Sequence, residues 1–192
     1  MSGNNFIGER IKSIRESKQL TIEQLSERSG VELEVINQIE ECKELPSLAP
    51  LIKIARALGV RLGTFLDDHD ELGPVITRNE EISDGLDFSN NSTNPQKRNM
   101  RYHPLSQSKA GRHMESFMIN IDSSTNVDFV LSSHEGEEFI YVIEGNVEIN
   151  YGKNKYKLNP GDSIYYDSIV PHHVHAGCCD TAKILAVVYT PV

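Results

Sequence analysis

A chain of 192 residues that is 38% hydrophobic can bury one large core or two small ones, and no apolar run in it is long enough to cross a bilayer. Its net charge of −9 excludes broad electrostatic attraction to nucleic acid or membrane and leaves only a local contact face for either. Cys42, Cys178 and Cys179 form neither a disulfide framework nor a C-x-x-C metal site, and the start M-S-G-N-N-F has no secretory or transit character, so a cytoplasmic protein with free thiols is expected.

From Phe6 to about Asp67 the apolar residues recur at helical spacing. Ile7, Ile11 and Ile14 share one face of a first helix. Thr21 and Gln24 make a capping-box pattern ahead of T-I-E-Q-L-S-E-R, which Gly30 ends. A third segment, E-L-E-V-I-N-Q-I-E, turns Ile36 and Ile39 inward. Pro46 and Ser47 open a fourth helix whose stripe is Leu48, Leu51, Ile52, Ala55 and Leu58, with Gly59 as its stop. A short fifth helix runs from about Arg61 to Leu66. Two helices joined by a tight glycine turn, within such a set, predict a helix-turn-helix module.

Four stretches, L-T-I-E-Q-L-S-E-R-S-G-V at 20–31, I-N-Q-I-E at 36–40, P-S-L at 46–48 and A-R-A-L-G-V at 55–60, resemble the phage-repressor (XRE) type of DNA-binding domain. The resemblance implies that Arg15 braces Glu40, that the segment from Glu32 to Ile39 enters the major groove, and that a double-stranded DNA operator is the partner. By that register Leu33, Glu34 and Gln38 face base edges. Leu can touch a thymine methyl, Glu can accept from cytosine, and Gln can pair with adenine. Asn37, Lys43 and Lys18 then hold phosphates. Two features depart from the pattern: Glu32, Glu34, Glu40 and Glu41 make this surface acidic, and Cys42 stands where glycine is usual. The alternative is a helical module that binds protein.

Residues 71–100 read as a polar linker, with V-I-T at 75–77 as one short strand, between a helical domain at 1–70 and a β domain at 101–192. Strand patterns lie at Tyr102, 117–121, 129–131, 140–143, 147–151, 156–158, 164–166, 172–176 and 184–189. Many short strands punctuated by Gly, Asn, Asp and Pro predict an all-β jelly roll or small barrel. The fold class expected is therefore multi-domain, an all-α five-helix unit followed by an all-β barrel.

The densest chemistry is H-E-G-E-E-F-I-Y-V-I-E-G at 134–145. His134 and Glu138, four apart on extended chain, share a face that Ile140 and Val142 continue. E-G-N at 144–146 predicts a hairpin turn, with Val147, Ile149 and Tyr151 on the returning strand. P-H-H-V-H at 171–175, after a G-D turn, offers His172 to the same face, turns His173 to solvent and leaves His175 undecided.

This layout resembles the cupin family over about the last half of the chain. His134, Glu138 and Gly145 keep the spacing of its first motif, and Gly161, Pro171 and His172 fit its second. Ser132 replaces the usual first histidine, and Ala176 a common asparagine. The resemblance implies a site for one divalent transition metal (iron, zinc, nickel or manganese) on His134, Glu138 and His172. In the metal-free alternative the same three residues bind a small-molecule effector, with Tyr102, Arg112 and Tyr141 lining the pocket. No nucleophile–base pair has local support. Together these readings predict a transcriptional regulator, not an enzyme, that senses an effector and works as a homodimer, since one helix-turn-helix reads only a few base pairs. The competing expectation is a metal-dependent cupin oxygenase or isomerase with an accessory helical domain.

Overall fold

The computed structural model describes residues 3–41, 47–66, 74–82, 86–88, 100–109, 112–122, 131–177 and 181–190. Cys42, Lys43, Cys178, Cys179 and much of the expected linker lie outside them. Five helices come first: α1 (Gly3–Ser17), α2 (Ile22–Ser29), α3 (Leu33–Glu40), α4 (Leu48–Ala57) and α5 (Gly63–Leu66). The capping box opens α2, with Gln24 N–H donating to Thr21 Oγ1 at 3.2 Å and Thr21 N–H to Gln24 Oε1 at 2.9 Å. Gly30 ends that helix at φ +66°, a left-handed conformation glycine adopts without strain, so the chain can turn sharply into α3. Ile7, Ile11, Leu25, Ile36, Ile39 and Leu51 are buried where the helices meet.

A polar brace ties α1 to the end of α3. Arg15 Nε and Nη2 donate to the two carboxylate oxygens of Glu40 at 2.6 and 2.7 Å, and Nη1 donates to the Leu20 carbonyl at 2.8 Å. Both side chains are buried.

Helix α4 is buried on more than one side. Leu51, Ile54 and Leu58 lose almost all exposure, and so do Leu48, Ala49, Ile52 and Ala55. The second group recurs at helical spacing and lines cavities shared with the β domain. A helix with apolar residues on two faces needs two bodies to cover them, and the barrel is the second.

After a 3₁₀ turn (Asn79–Glu81) come β1 (Leu86–Phe88), β2 (Met100–Pro104), β3 (Met114–Ile121), β4 (Glu137–Glu144), β5 (Val147–Tyr151), β6 (Asn154–Leu158), β7 (Ser163–Asp167), β8 (His172–Ala176) and β9 (Ala182–Tyr189). They build a six-stranded sheet, ordered β1-β2-β3-β9-β4-β7, and a three-stranded sheet, β6-β5-β8, antiparallel throughout. Alternate residues face inward: Phe117, Ile119 and Ile121 on β3, Ile140 and Val142 on β4, Val147 and Ile149 on β5, Ile184, Ala186 and Val188 on β9.

Three local expectations change. Residues 75–77 form no ladder; Thr77 Oγ1 instead donates to the Leu105 carbonyl, and the strand that pairs with β2 is β1 at 86–88. Leu131 lies outside any strand, and 129–130 fall outside the described residues. The turn at 144–146 joins no hairpin, because β4 and β5 belong to different sheets. Gly145, at φ +71°, lies so close to Thr181 that a Cβ would sit 2.1 Å from its carbonyl oxygen, and Asn146 O accepts from Gly177 N–H. That approach directs the chain across to β8. The tight hairpin is instead β5–β6, turning at Gly152 and Lys153.

Candidate functional site

The barrel brings His134, Glu138 and His172 together, with one donor atom from each within 4.8 Å of the others. Glu138 leaves β4 inward. His134 precedes that strand and is held by its N–H to the Ser168 carbonyl, and His172 begins β8 opposite Ser132 in a two-bond bridge. His134 Nε2 lies 2.8 Å and His172 Nε2 3.2 Å from Glu138 Oε1. Tyr166 Oη donates to Glu138 Oε2 at 2.8 Å and Ser168 Oγ to Oε1 at 3.1 Å. All three site residues are buried.

The other ring nitrogens fix the chemistry. His134 Nδ1 is 3.0 Å from the Glu135 carbonyl and His172 Nδ1 is 2.8 Å from the Val170 carbonyl. A carbonyl only accepts, so each Nδ1 carries the hydrogen and each neutral ring aims an Nε2 lone pair at the carboxylate. Two lone pairs facing a carboxylate oxygen call for positive charge among them. A proton supplies it in one state. Burial works against the charged form of His172, yet the hydrogen bond and charge of Glu138 raise its pKa above the ordinary value. Burial would raise Glu138, but hydrogen bonding to His134 and His172 and the charge of these rings when protonated hold it far below the carboxylate range. A divalent metal bound by the three residues would supply the same charge. Two imidazoles with Nδ1–H held by carbonyls and one carboxylate held by Tyr166 and Ser168 fit such an ion, including its outer shell.

Tyr102 lines the same cavity, edge-on to Phe117 at 5.6 Å, and burial followed by the Glu138 charge raises its pKa. Two predicted pocket residues lie elsewhere. Tyr141 alternates with Ile140 and Val142 and emerges half-exposed on the outer sheet face. Arg112 is engaged by Glu115 at 2.8 Å, and the pair packs beneath Gly63 of α5, so neither reaches the barrel interior. His173 is buried rather than turned to solvent, and burial, then the His175 and His172 charges, lower its pKa to about 4. Ser132 lines the cavity from the position of the missing histidine. Its hydroxyl is shorter than an imidazole, so His134, Glu138 and His172 would hold a metal without a fourth ligand from this position.

Sequence reasoning missed Tyr166 and Ser168, although the alternation Ile164, Tyr166, Ser168 after the G-D turn marks them as one strand face. It also missed the wall of the cavity that comes from the helical domain: Ser47, Leu48 and Ala49 line it together with the three site residues. The cavity volume is about 70 Å³.

On the helical side, Leu33 and Glu34 are exposed at the start of α3, and Asn37 and Gln38 are partly exposed. Ile36, Ile39 and Glu40 occupy the buried face of the helix. Gln38 Nε2 donates to Glu34 Oε1 at 3.4 Å, so the two predicted base-reading side chains already meet. Lys43 lies outside the described residues.

A five-helix unit with an outward third helix, joined to a two-sheet barrel with an inward His–Glu–His set, defines a helix-turn-helix–cupin protein. Residues 11–65 match the helix-turn-helix family and residues 126–188 the cupin domain family. The transcriptional regulator SutR of Escherichia coli is 22% identical over 97% of this chain and 96% of its own. The immunity repressor of Bacillus phage phi105 is 32% identical over 43% of this chain and 70% of its own. Methylphosphonate synthase of Nitrosopumilus maritimus is 28% identical over 82% of this chain, which spans only 34% of that enzyme. Among solved structures, a helix-turn-helix family regulator from Vibrio cholerae shares the fold with a TM-score of 0.68 at 23% identity, covering 98% of this chain and 97% of its own. The chain belongs to the phage-repressor-type helix-turn-helix family, in the form that carries a C-terminal cupin domain.

Proposed function

We propose that this protein is a cytoplasmic, homodimeric, sequence-specific DNA-binding regulator whose cupin barrel senses a small molecule. Leu33, Glu34 and Gln38 read base edges, and Asn37 with Lys43 holds phosphates. His134, Glu138, His172 and Tyr102 bind the effector, directly or through a divalent metal that supplies Lewis-acid charge at the two Nε2 atoms. The observation that carries this reading is the wall that the helical domain gives the cavity. The first turn of α4, a few residues after the recognition helix, lines the cavity that holds the site and can serve as its lid. About 70 Å³ is far below the roughly 300–1,000 Å³ of ordinary ligand pockets, so an effector of ordinary size fits only as that lining moves. A ligand that favours the open arrangement thereby shifts the population of helical-domain positions.

Dimerisation has a surface to use. Tyr141, Tyr165, Tyr189 and Met114 are exposed on the outer face of the six-stranded sheet, on neighbouring strands by register. An apolar sheet face of this kind suits a two-fold contact between barrels. The test is selection from a random duplex pool with the intact protein. Enriched duplexes are expected to carry two related half-sites about one helical turn apart, roughly 10 base pairs. A pool with no enriched sequence would move the function of α3 to protein binding.

A second reading has a specific observation behind it, since the His–Glu–His set fits a metal and methylphosphonate synthase is a relative. Under it the barrel is an enzyme and must retain its ion. Metal analysis of protein purified without chelator separates the two: the regulator reading tolerates an empty site, whereas the enzyme reading fails if no transition metal is bound and none can be restored.

A further inference from the structure

We infer that the seam between α4 and the barrel holds a second binding site, for a small anion bearing a phosphate or carboxylate group. A cavity of about 190 Å³ lies there, distinct from the one inside the barrel. The helical domain contributes Ser29, Lys53, Arg56 and Arg61, and the barrel contributes Ser133, Glu135 and Thr190. His134 lines both cavities, so the two sites share one wall.

Charge decides the ligand class. Three cations line the seam against one carboxylate, on a chain whose net charge is −9. Arg56 uses that carboxylate, forming an ion pair with Glu135. The side chains of Lys53 and Arg61 are partly exposed and, among the described residues, have no hydrogen-bonding or ionic partner. An anion seated in the cavity they line is attracted to both. The C-terminal ends of α2 and α4 lie nearby, and part of their negative charge is offset by capping: Gly30 N–H donates to the Ser26 carbonyl, and Gly59 and Val60 N–H to those of Arg56 and Ala55. The Ser133 and Thr190 hydroxyls and the Arg61 guanidinium provide the directional donors that phosphate or carboxylate oxygens accept, whereas the Ser29 hydroxyl is spent on the Leu25 carbonyl. The volume suits a compact anion rather than a nucleotide, and clefts between domains are a preferred place for such sites.

Such a site senses domain placement directly. Its cations come from the helical domain and part of its hydroxyls from the barrel, so it is complete only while the two are docked. An anion here holds the lid of the barrel cavity shut. The inference stands whether or not the barrel binds an effector.

The test is calorimetric titration of the intact protein with orthophosphate and, separately, with succinate. Wild-type protein is expected to bind one equivalent of at least one of them, with Kd at or below roughly 1 mM; the tighter of the two names the group recognised. Lys53→Gln with Arg61→Gln, both at half-exposed positions, is expected to weaken binding at least tenfold, and Arg61→Lys alone to keep most of it. Either single Gln variant serves if the double variant does not fold. Tyr102→Phe, which alters the barrel cavity away from the shared His134 wall, is expected to leave the anion affinity unchanged. The inference is overturned by the absence of saturable binding, by binding that survives the loss of both cations, or by binding lost in Tyr102→Phe.

Discussion

Replacing Arg15 with methionine is expected to cost about 3–5 kcal/mol of stability, the loss that follows when one partner of a buried ion pair is removed. A surface pair would lose only about 0–1 kcal/mol, so burial decides the size of the effect. Glu40 would keep its place at the end of α3 with both carboxylate oxygens facing a thioether, and the Leu20 carbonyl would lose its donor. The double variant Arg15→Met with Glu40→Leu is expected to recover most of the loss, since the two desolvation penalties disappear together. Urea unfolding of wild type, both single variants and the double variant, followed by far-ultraviolet circular dichroism, completes the cycle. A single-variant loss under about 1 kcal/mol would place the pair in water-like surroundings and contradict this account of the brace.

Much of this architecture could be read from residue order because the signals were local. Thr21 with Gln24 and the glycine at 30 concern neighbours, and their geometry follows from a single turn of chain. The inward set His134, Glu138, Ile140 and Val142 needs only the two-residue period of a strand. What escaped depended on contacts between distant segments. Gly145 looks like a hairpin glycine, but its conformation serves a close approach to Thr181, which no local pattern encodes. Tyr141 and Arg112 are chemically suited to a pocket. One is on the wrong parity of its strand, and the other is claimed by Glu115 three residues on. His173 looked solvent-facing by alternation from His172, yet it is buried, with its ring stacked on that of His175 at 5.5 Å. The apolar stripe of α4 was visible, but a stripe wide enough for two partners gives no hint of what the second one is. That partner is the barrel, and through it the cavity that holds His134, Glu138 and His172 acquires a wall from the helical domain.

Glu138→Ala combined with His172→Ala is expected to leave operator binding intact and abolish its response to the effector. The two residues lie in the barrel, far along the chain from α3, so the helical fold and its exposed face do not depend on them. Within the site they supply the carboxylate and one of the two imidazoles, leaving His134 alone to hold metal or ligand. The connection to α4 runs through Glu135, whose carbonyl accepts from His134 Nδ1–H while its carboxylate pairs with Arg56. That ion pair is largely exposed, worth about 0–1 kcal/mol, and so holds the seam only weakly. A coupling of about 1–3 kcal/mol, or roughly 5–150-fold in operator affinity, is then enough to open it. The measurement uses an enriched duplex from the selection and the small molecule that most raises the melting temperature of wild-type protein in a library screen. Operator affinity is titrated with and without that molecule, for wild type and for the double variant, each checked for fold by circular dichroism. The wild-type protein should show the full shift and the double variant none. A folded double variant that still responds would locate the effector outside the barrel, and the lid would then have to answer to a different site.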